Sequence, residues 1–154
     1  MGKDIDFKQI RTYNHSQNAA FEELVCQLAR HEGNDNYKRF VRNGTPDGGV
    51  ECFWVLENGE EHAWQAKYVF DIDHLIAQID KSFKTALETH PKMRRFVTAI
   101  PFNLPDPCYK TKKNNASVKS ARKKWEHKVK AWNVEAGNYG QNIELELWTE
   151  SDLL

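Results

Sequence analysis

Between Asp47 and Lys67 the chain reads DGGVECFWVLENGEEHAWQAK. Two acids, Asp47 and Glu51, stand just before or within one apolar run, and Gln65 and Lys67 stand two residues apart in the next. In an extended strand, residues two apart point to the same face. Carboxylate and amide oxygens are the donors that a hard cation such as Mg²⁺ prefers, with Mn²⁺ as a substitute. A metal held there polarises a phosphate and helps deprotonate a water, while a lysine positions that water and balances developing charge. Taken singly, each residue has an ordinary reading: Lys67 and Gln65 facing solvent, Asp47 capping a turn. Together they place a polar i, i+2 pair inside an apolar run whose other face, Trp64, Ala66, Tyr68 and Phe70, is built for a core. That combination predicts a partly sequestered polar patch able to hydrolyse phosphodiesters.

Such residues need strands and helices to hold them. Phe21, Leu24, Val25 and Leu28 recur at helical spacing, predicting an amphipathic helix from about Asn18 to His31. Glu22 flanks its apolar stripe and Glu23 faces away, which makes Glu22 a candidate further metal ligand. A lead-in strand or arm occupies the first fifteen residues. A short strand, Tyr37 to Val41, is followed by NGTPDGG, turn chemistry throughout. The runs Val50–Leu56 and Ala63–Phe70 flank an Asn-Gly pair and predict a hairpin. A second helix extends from Ile72 to Leu87 and closes at His90-Pro91. A strand at Phe96–Ile100, a third helix over about Ser117–Glu135 and a strand at Ile143–Trp148 complete the order, with no cap or turn seen after WTESDLL. Strands interleaved with helices imply a single α/β domain over residues 1–154, its central mixed sheet flanked by helices on both faces.

The hairpin turn decides which acid meets Gln65 and Lys67. A strict two-residue Asn58-Gly59 turn puts Glu51 opposite Ala66, on the wrong face. A three-residue loop with Gly59 in a left-handed conformation puts Glu51 opposite Gln65. The chemistry therefore requires the odd loop, and favours Glu51 as the strand ligand. Asp47 joins only if Gly48-Gly49 bends the chain back.

Composition narrows the class. The chain has 154 residues, 40% hydrophobic and 29% charged, with 22 basic and 22 acidic side chains, as in a globular protein of one domain. Between Lys110 and Lys130 nine Lys/Arg face one acid, leaving thirteen basic and twenty-one acidic residues elsewhere. In the third helix Lys119, Arg122, Lys123, Lys124 and Lys128 lie off the apolar stripe and are candidate DNA-backbone contacts. Trp125 and Trp132, seven apart on that stripe, read as core. Cys26, Cys52 and Cys108 form no CxxC pair, fit neither a disulfide framework nor a zinc site, and suit a reducing cytoplasm. No signal peptide or membrane-length apolar run is apparent, and the six histidines form no motif.

PD followed by QAK resembles the PD-(D/E)xK nuclease superfamily, and PDGGVE…QAK its Mrr-type restriction-endonuclease branch. SQNAAFEELVCQLA, FVTAIPFNLPDP and LELWTESDLL further resemble the N-terminal nuclease domains of bacterial antiviral STAND NTPases, the Avs type. The resemblance implies a restriction-endonuclease-like core and Mg²⁺-dependent cleavage of double-stranded DNA with little sequence preference, in antiphage defence. Glu51, Asp47, Gln65 and Glu22 would hold the metal, with Lys67 beside the attacking water. It also implies an N-terminal fragment of a longer cytoplasmic protein, with oligomerisation, ATP use and sensing supplied by a C-terminal NTPase and sensor region. Gln65, where the superfamily name has an acid, keeps two rivals open: a catalytically weak DNA-binding or assembly module, and an RNA-directed nuclease.

Overall fold

In the computed structural model, residues 6–12, 16–44, 49–104 and 120–153 are described. Asp47, Cys108 and Lys119 lie outside the described residues. The elements are α1 (Gln17–His31), β1 (Tyr37–Arg42), β2 (Cys52–Leu56), β3 (Glu61–Ala66), α2 (Ile72–Thr89), β4 (Met93–Ala99), α3 (Ala121–Asn138), β5 (Glu144–Trp148) and α4 (Glu150–Leu153). The described residues of the lead-in segment, expected as a strand or arm, form a 3-10 turn at Phe7–Gln9 and no strand, tied down by the buried Phe7 ring edge-on to Phe21.

The five strands form one mixed sheet in the order β1-β2-β3-β4-β5. β2 pairs antiparallel with both β1 and β3, whereas β3-β4 and β4-β5 are parallel. Alternation along the strands then sorts two cores. Phe53, Ala63 and Phe96 pack with Leu75, Ile79 and Phe83 of α2 and Trp125 and Trp132 of α3. On the opposite face Cys52, Trp64, Ala66, Val97 and Ala99 pack with Phe21, Val25, Cys26 and Ala29 of α1. Both described cysteines are therefore buried free thiols, and both tryptophans of α3 belong to the core.

Side-chain caps start each long helix. Ser16, Asp71 and Ser120 accept the amides of Ala19, His74 and Lys123, relieving N–H groups that have no partner within the helix. Within WTESDLL the Asp152 carboxylate accepts from the amide and hydroxyl of Thr149, capping the start of the short α4.

Where α1 gives out, the sheet face carries a polar network. Arg95 makes a two-bonded pair with Glu146, at 2.8 and 2.6 Å, and its guanidinium lies 5.3 Å from the Trp64 ring centroid. Tyr37 Oη and His62 Nδ1 are 2.6 Å apart. Burial, with help from Arg95, holds the His62 pKa below its ordinary value. The unfolded chain therefore binds a proton at His62 more readily than the fold does. Its contribution to stability is complete above about pH 6.5 and declines as pH falls toward the lower folded-state value. His62→Asn should flatten the dependence of Tm on pH between about 7 and 5, measured by thermal denaturation.

Candidate functional site

The β2-β3 hairpin turns through Glu57, Asn58 and Gly59. Leu56 N–H donates to Glu60 O (2.8 Å), Gly59 N–H donates to Leu56 O (2.9 Å), and Gly59 has φ +86°. This is the three-residue loop. It sets Cys52 opposite Trp64 and Val55 opposite Glu61, a register that, continued one step, would set Glu51 opposite Gln65. At that step the Glu51 amide donates to Trp64 O (2.8 Å), one residue out of register, and the strand shifts as in a bulge.

Strand pairing formally ends at Ala66, so Lys67 stands just past the carboxyl end of β3, its amide donating to Ala99 O (2.9 Å). There a cleft of about 310 Å³ opens, lined by Asn18 and Glu22 of α1, Glu51, the chain from Ala66 to Val69, and Gln78 of α2. Ligand sites of open α/β sheets commonly lie beyond the carboxyl ends of strands. A larger groove, about 490 Å³, runs between α1, β5 and α4 along Leu28, His31, Glu32, Leu147, Trp148 and Asp152. Among the described residues it shares none with the cleft and has no lysine.

Thus three predicted residues, Glu22, Glu51 and Lys67, share one cleft. Helix geometry sorts the two adjacent glutamates. Glu22 lines the cleft and accepts from Asn18 Nδ2 (3.2 Å), while Glu23 pairs with Arg42 at 2.6 Å. That hydrogen bond, and another from Gln27, hold the Glu23 carboxyl below its ordinary pKa. Asn18 and Gln78 escaped sequence reasoning, although Asn18 stands four residues before Glu22, the spacing that stacks side chains on one helix face.

Gln65 behaves differently. It is 1% exposed, lies behind the cleft lining, and both amide atoms, Oε1 and Nε2, lack a hydrogen-bond partner. A buried polar group in that condition costs about 1–3 kcal/mol. Gln65→Met, close in volume and without the amide, should therefore raise stability by roughly 1–2 kcal/mol. A lower Tm for the variant would show that the amide is satisfied in solution.

The donor set suits Mg²⁺ or Mn²⁺: among the described residues the cleft offers carboxylate and amide oxygens and no thiol or imidazole, and Gln65 adds a buried oxygen without a partner. Among the described residues no group of three or more His, Cys, Asp and Glu side chains is assembled for a metal. Asp47, the remaining acid of the predicted set, lies outside them.

The described basic residues of α3 do not line the cleft. Lys124 pairs with Asp73 at 3.1 Å and Lys128 with Asp80 at 2.8 Å, tying α3 to α2. An Arg122 guanidinium N–H donates to Leu104 O (3.0 Å). Lys123 is exposed. The basic stripe thus has a structural use, bridging two helices, that helical periodicity alone does not reveal.

No protein-family model matches the chain, and no curated protein matches its sequence.

Proposed function

We propose that this chain is a Mg²⁺-dependent nuclease domain of the PD-(D/E)xK type, Mrr branch, acting on DNA. The observation that carries the proposal is the meeting of Glu22, Glu51 and Lys67 in one cleft, although they come from α1, the start of β2 and the end of β3. Glu51 and Glu22, with Gln65 and Asp47 as further candidates, would hold the ion. When bound, the ion polarises the phosphate and acidifies a water. Lys67 orients that water and offsets charge gathering on the phosphate. Lys119, Arg122, Lys123, Lys124 and Lys128 remain the proposed backbone contacts, Lys123 most directly because of its exposure. The family resemblance extends the proposal to a cytoplasmic antiphage effector that cuts double-stranded DNA with little sequence preference. Oligomerisation would then come from an NTPase and sensor region of a longer protein. No helix among the described residues is long and apolar enough to cross a membrane.

A second reading, a catalytically weak nuclease-like DNA-binding or assembly module, draws on Gln65, which is neutral and set behind the cleft lining. Supercoiled plasmid and a matched RNA, each incubated with Mg²⁺, Mn²⁺ or EDTA, separate the possibilities. Metal-dependent nicking of plasmid is the expected result. Cleavage of RNA alone would move the assignment to an RNA-directed nuclease. DNA binding without cleavage in either metal would favour the module.

A further inference from the structure

Of the described residues, the large hydrophobic side chains left exposed are Phe70, Val134 and Tyr139. Val134 and Tyr139 belong to α3 and its end, and the Tyr139 hydroxyl donates to Glu88. Phe70 has no polar atom to place in water, and it stands beside the cleft. Tyr68 lines the cleft and meets Phe70 edge-on, with centroids 5.1 Å apart and planes at 80°. Two residues, Tyr68 and Val69, separate Lys67 from Phe70, at most about 10 Å of chain.

The mounting beneath the ring is firm. Tyr68 Oη donates to Phe7 O (2.5 Å), and the Tyr68 ring leans on the buried Phe21. Gln17 Nε2 donates to Lys8 O (2.9 Å) and Ile10 O (3.2 Å), fixing the turn that carries Lys8. The Lys8 ammonium lies 5.4 Å from the Phe70 ring centroid. A partly exposed aromatic ring, 37% exposed, with a cation over one of its faces, one step from a lysine-bearing cleft, combines the two elements by which proteins hold single-stranded nucleic acid: a ring face opposite the cation for a base and charge for its phosphate.

We infer that Phe70 is a foothold on which an unpaired base of the substrate strand stacks, with Lys8 on the adjoining phosphate, as the strand enters the cleft. This rests on the nuclease reading and narrows its double-stranded substrate to places where the duplex opens: DNA with unpaired bases, such as frayed ends, gaps or single strands, is held better than blunt duplex. A base in intact duplex must first leave its stack.

The test is fluorescence anisotropy with labelled single-stranded, blunt-duplex and abasic oligonucleotides in Ca²⁺ buffer, alongside Mg²⁺-dependent plasmid nicking. Phe70→Ala should weaken single-strand binding about 5- to 100-fold, Phe70→Leu nearly as much, and Phe70→Trp little. The abasic strand should bind wild type and Phe70→Ala alike, a pattern that a merely structural role for Phe70 would not produce. Lys8→Ala should reduce the slope of log affinity against log salt by about one. Unchanged single-strand binding by Phe70→Ala, with plasmid nicking intact, overturns the foothold and spares the nuclease. A wild type that neither binds nor cuts any of these substrates overturns both.

Discussion

Lys67→Ala should lower Mg²⁺-dependent plasmid nicking by about 100-fold or more, the usual loss when a group placed to stabilise developing charge is removed. The fold should survive, because the backbone amide that Lys67 gives to Ala99 O is kept by alanine. Glu51→Gln should have a comparable effect on cleavage by a different route. It retains the side chain's size but removes the charge that would attract the cation, so raising Mg²⁺ or supplying Mn²⁺ should recover part of its activity and none of that lost in Lys67→Ala. Lys84→Ala, an exposed change on α2, is the control and should cut as wild type does. Nicking rates at several metal concentrations, with circular dichroism to verify folding, make the comparison. Equal cleavage by wild type and Lys67→Ala would end the catalytic assignment.

Gly49→Ala should be among the most destabilising single-methyl additions in the domain, at roughly 2–5 kcal/mol. Gly49 has φ +89°, and a Cβ built on it would lie 2.3 Å from Ser82 O and 2.8 Å from Ala86 N, both backbone atoms of α2. The left-handed conformation costs an L-residue about 1–2 kcal/mol. The overlap adds a packing penalty of about 1–3 kcal/mol, since helix backbone cannot rotate aside as a side chain would. Gly44→Ala, with nothing within 4 Å of the added atom, should be close to neutral. Thermal and urea denaturation of the two variants measure the difference. Because Gly49 leads into the buried Val50 and then Glu51, Gly49→Ala should also displace the start of β2 and depress any activity that depends on Glu51. A midpoint for Gly49→Ala within a degree or two of wild type would show that the approach to α2 is looser than described.

The element order and the burial of Trp64 and Ala66 on one sheet face were legible in the sequence, because both follow from local periodicity: 3.6 for Phe21, Val25 and Leu28, and two for Trp64 and Ala66. Phe70, expected on the same buried face, is exposed because β3 ends at Ala66 and the alternation stops there. The start of α2 at Ile72 was legible from its apolar spacing, whereas α3 begins at Ala121, later than the expected Ser117. The short helix after Thr149 was not legible, since one turn held by a single carboxylate leaves no periodic pattern. For the site, the residue types were visible from the start, and the dependence of Glu51 on the turn at Gly59 could be stated as a condition. Only the tertiary structure decided that condition, because a two-residue and a three-residue loop both accommodate Asn58-Gly59, and the choice shows only once the strand pairs are made. It alone also brought Glu22, Glu51 and Lys67 to a common cleft, put Gln65 behind it, and turned Lys124 and Lys128 toward acids of α2. These are relations between elements far apart in the chain, and periodicity within one element says nothing of what packs against it.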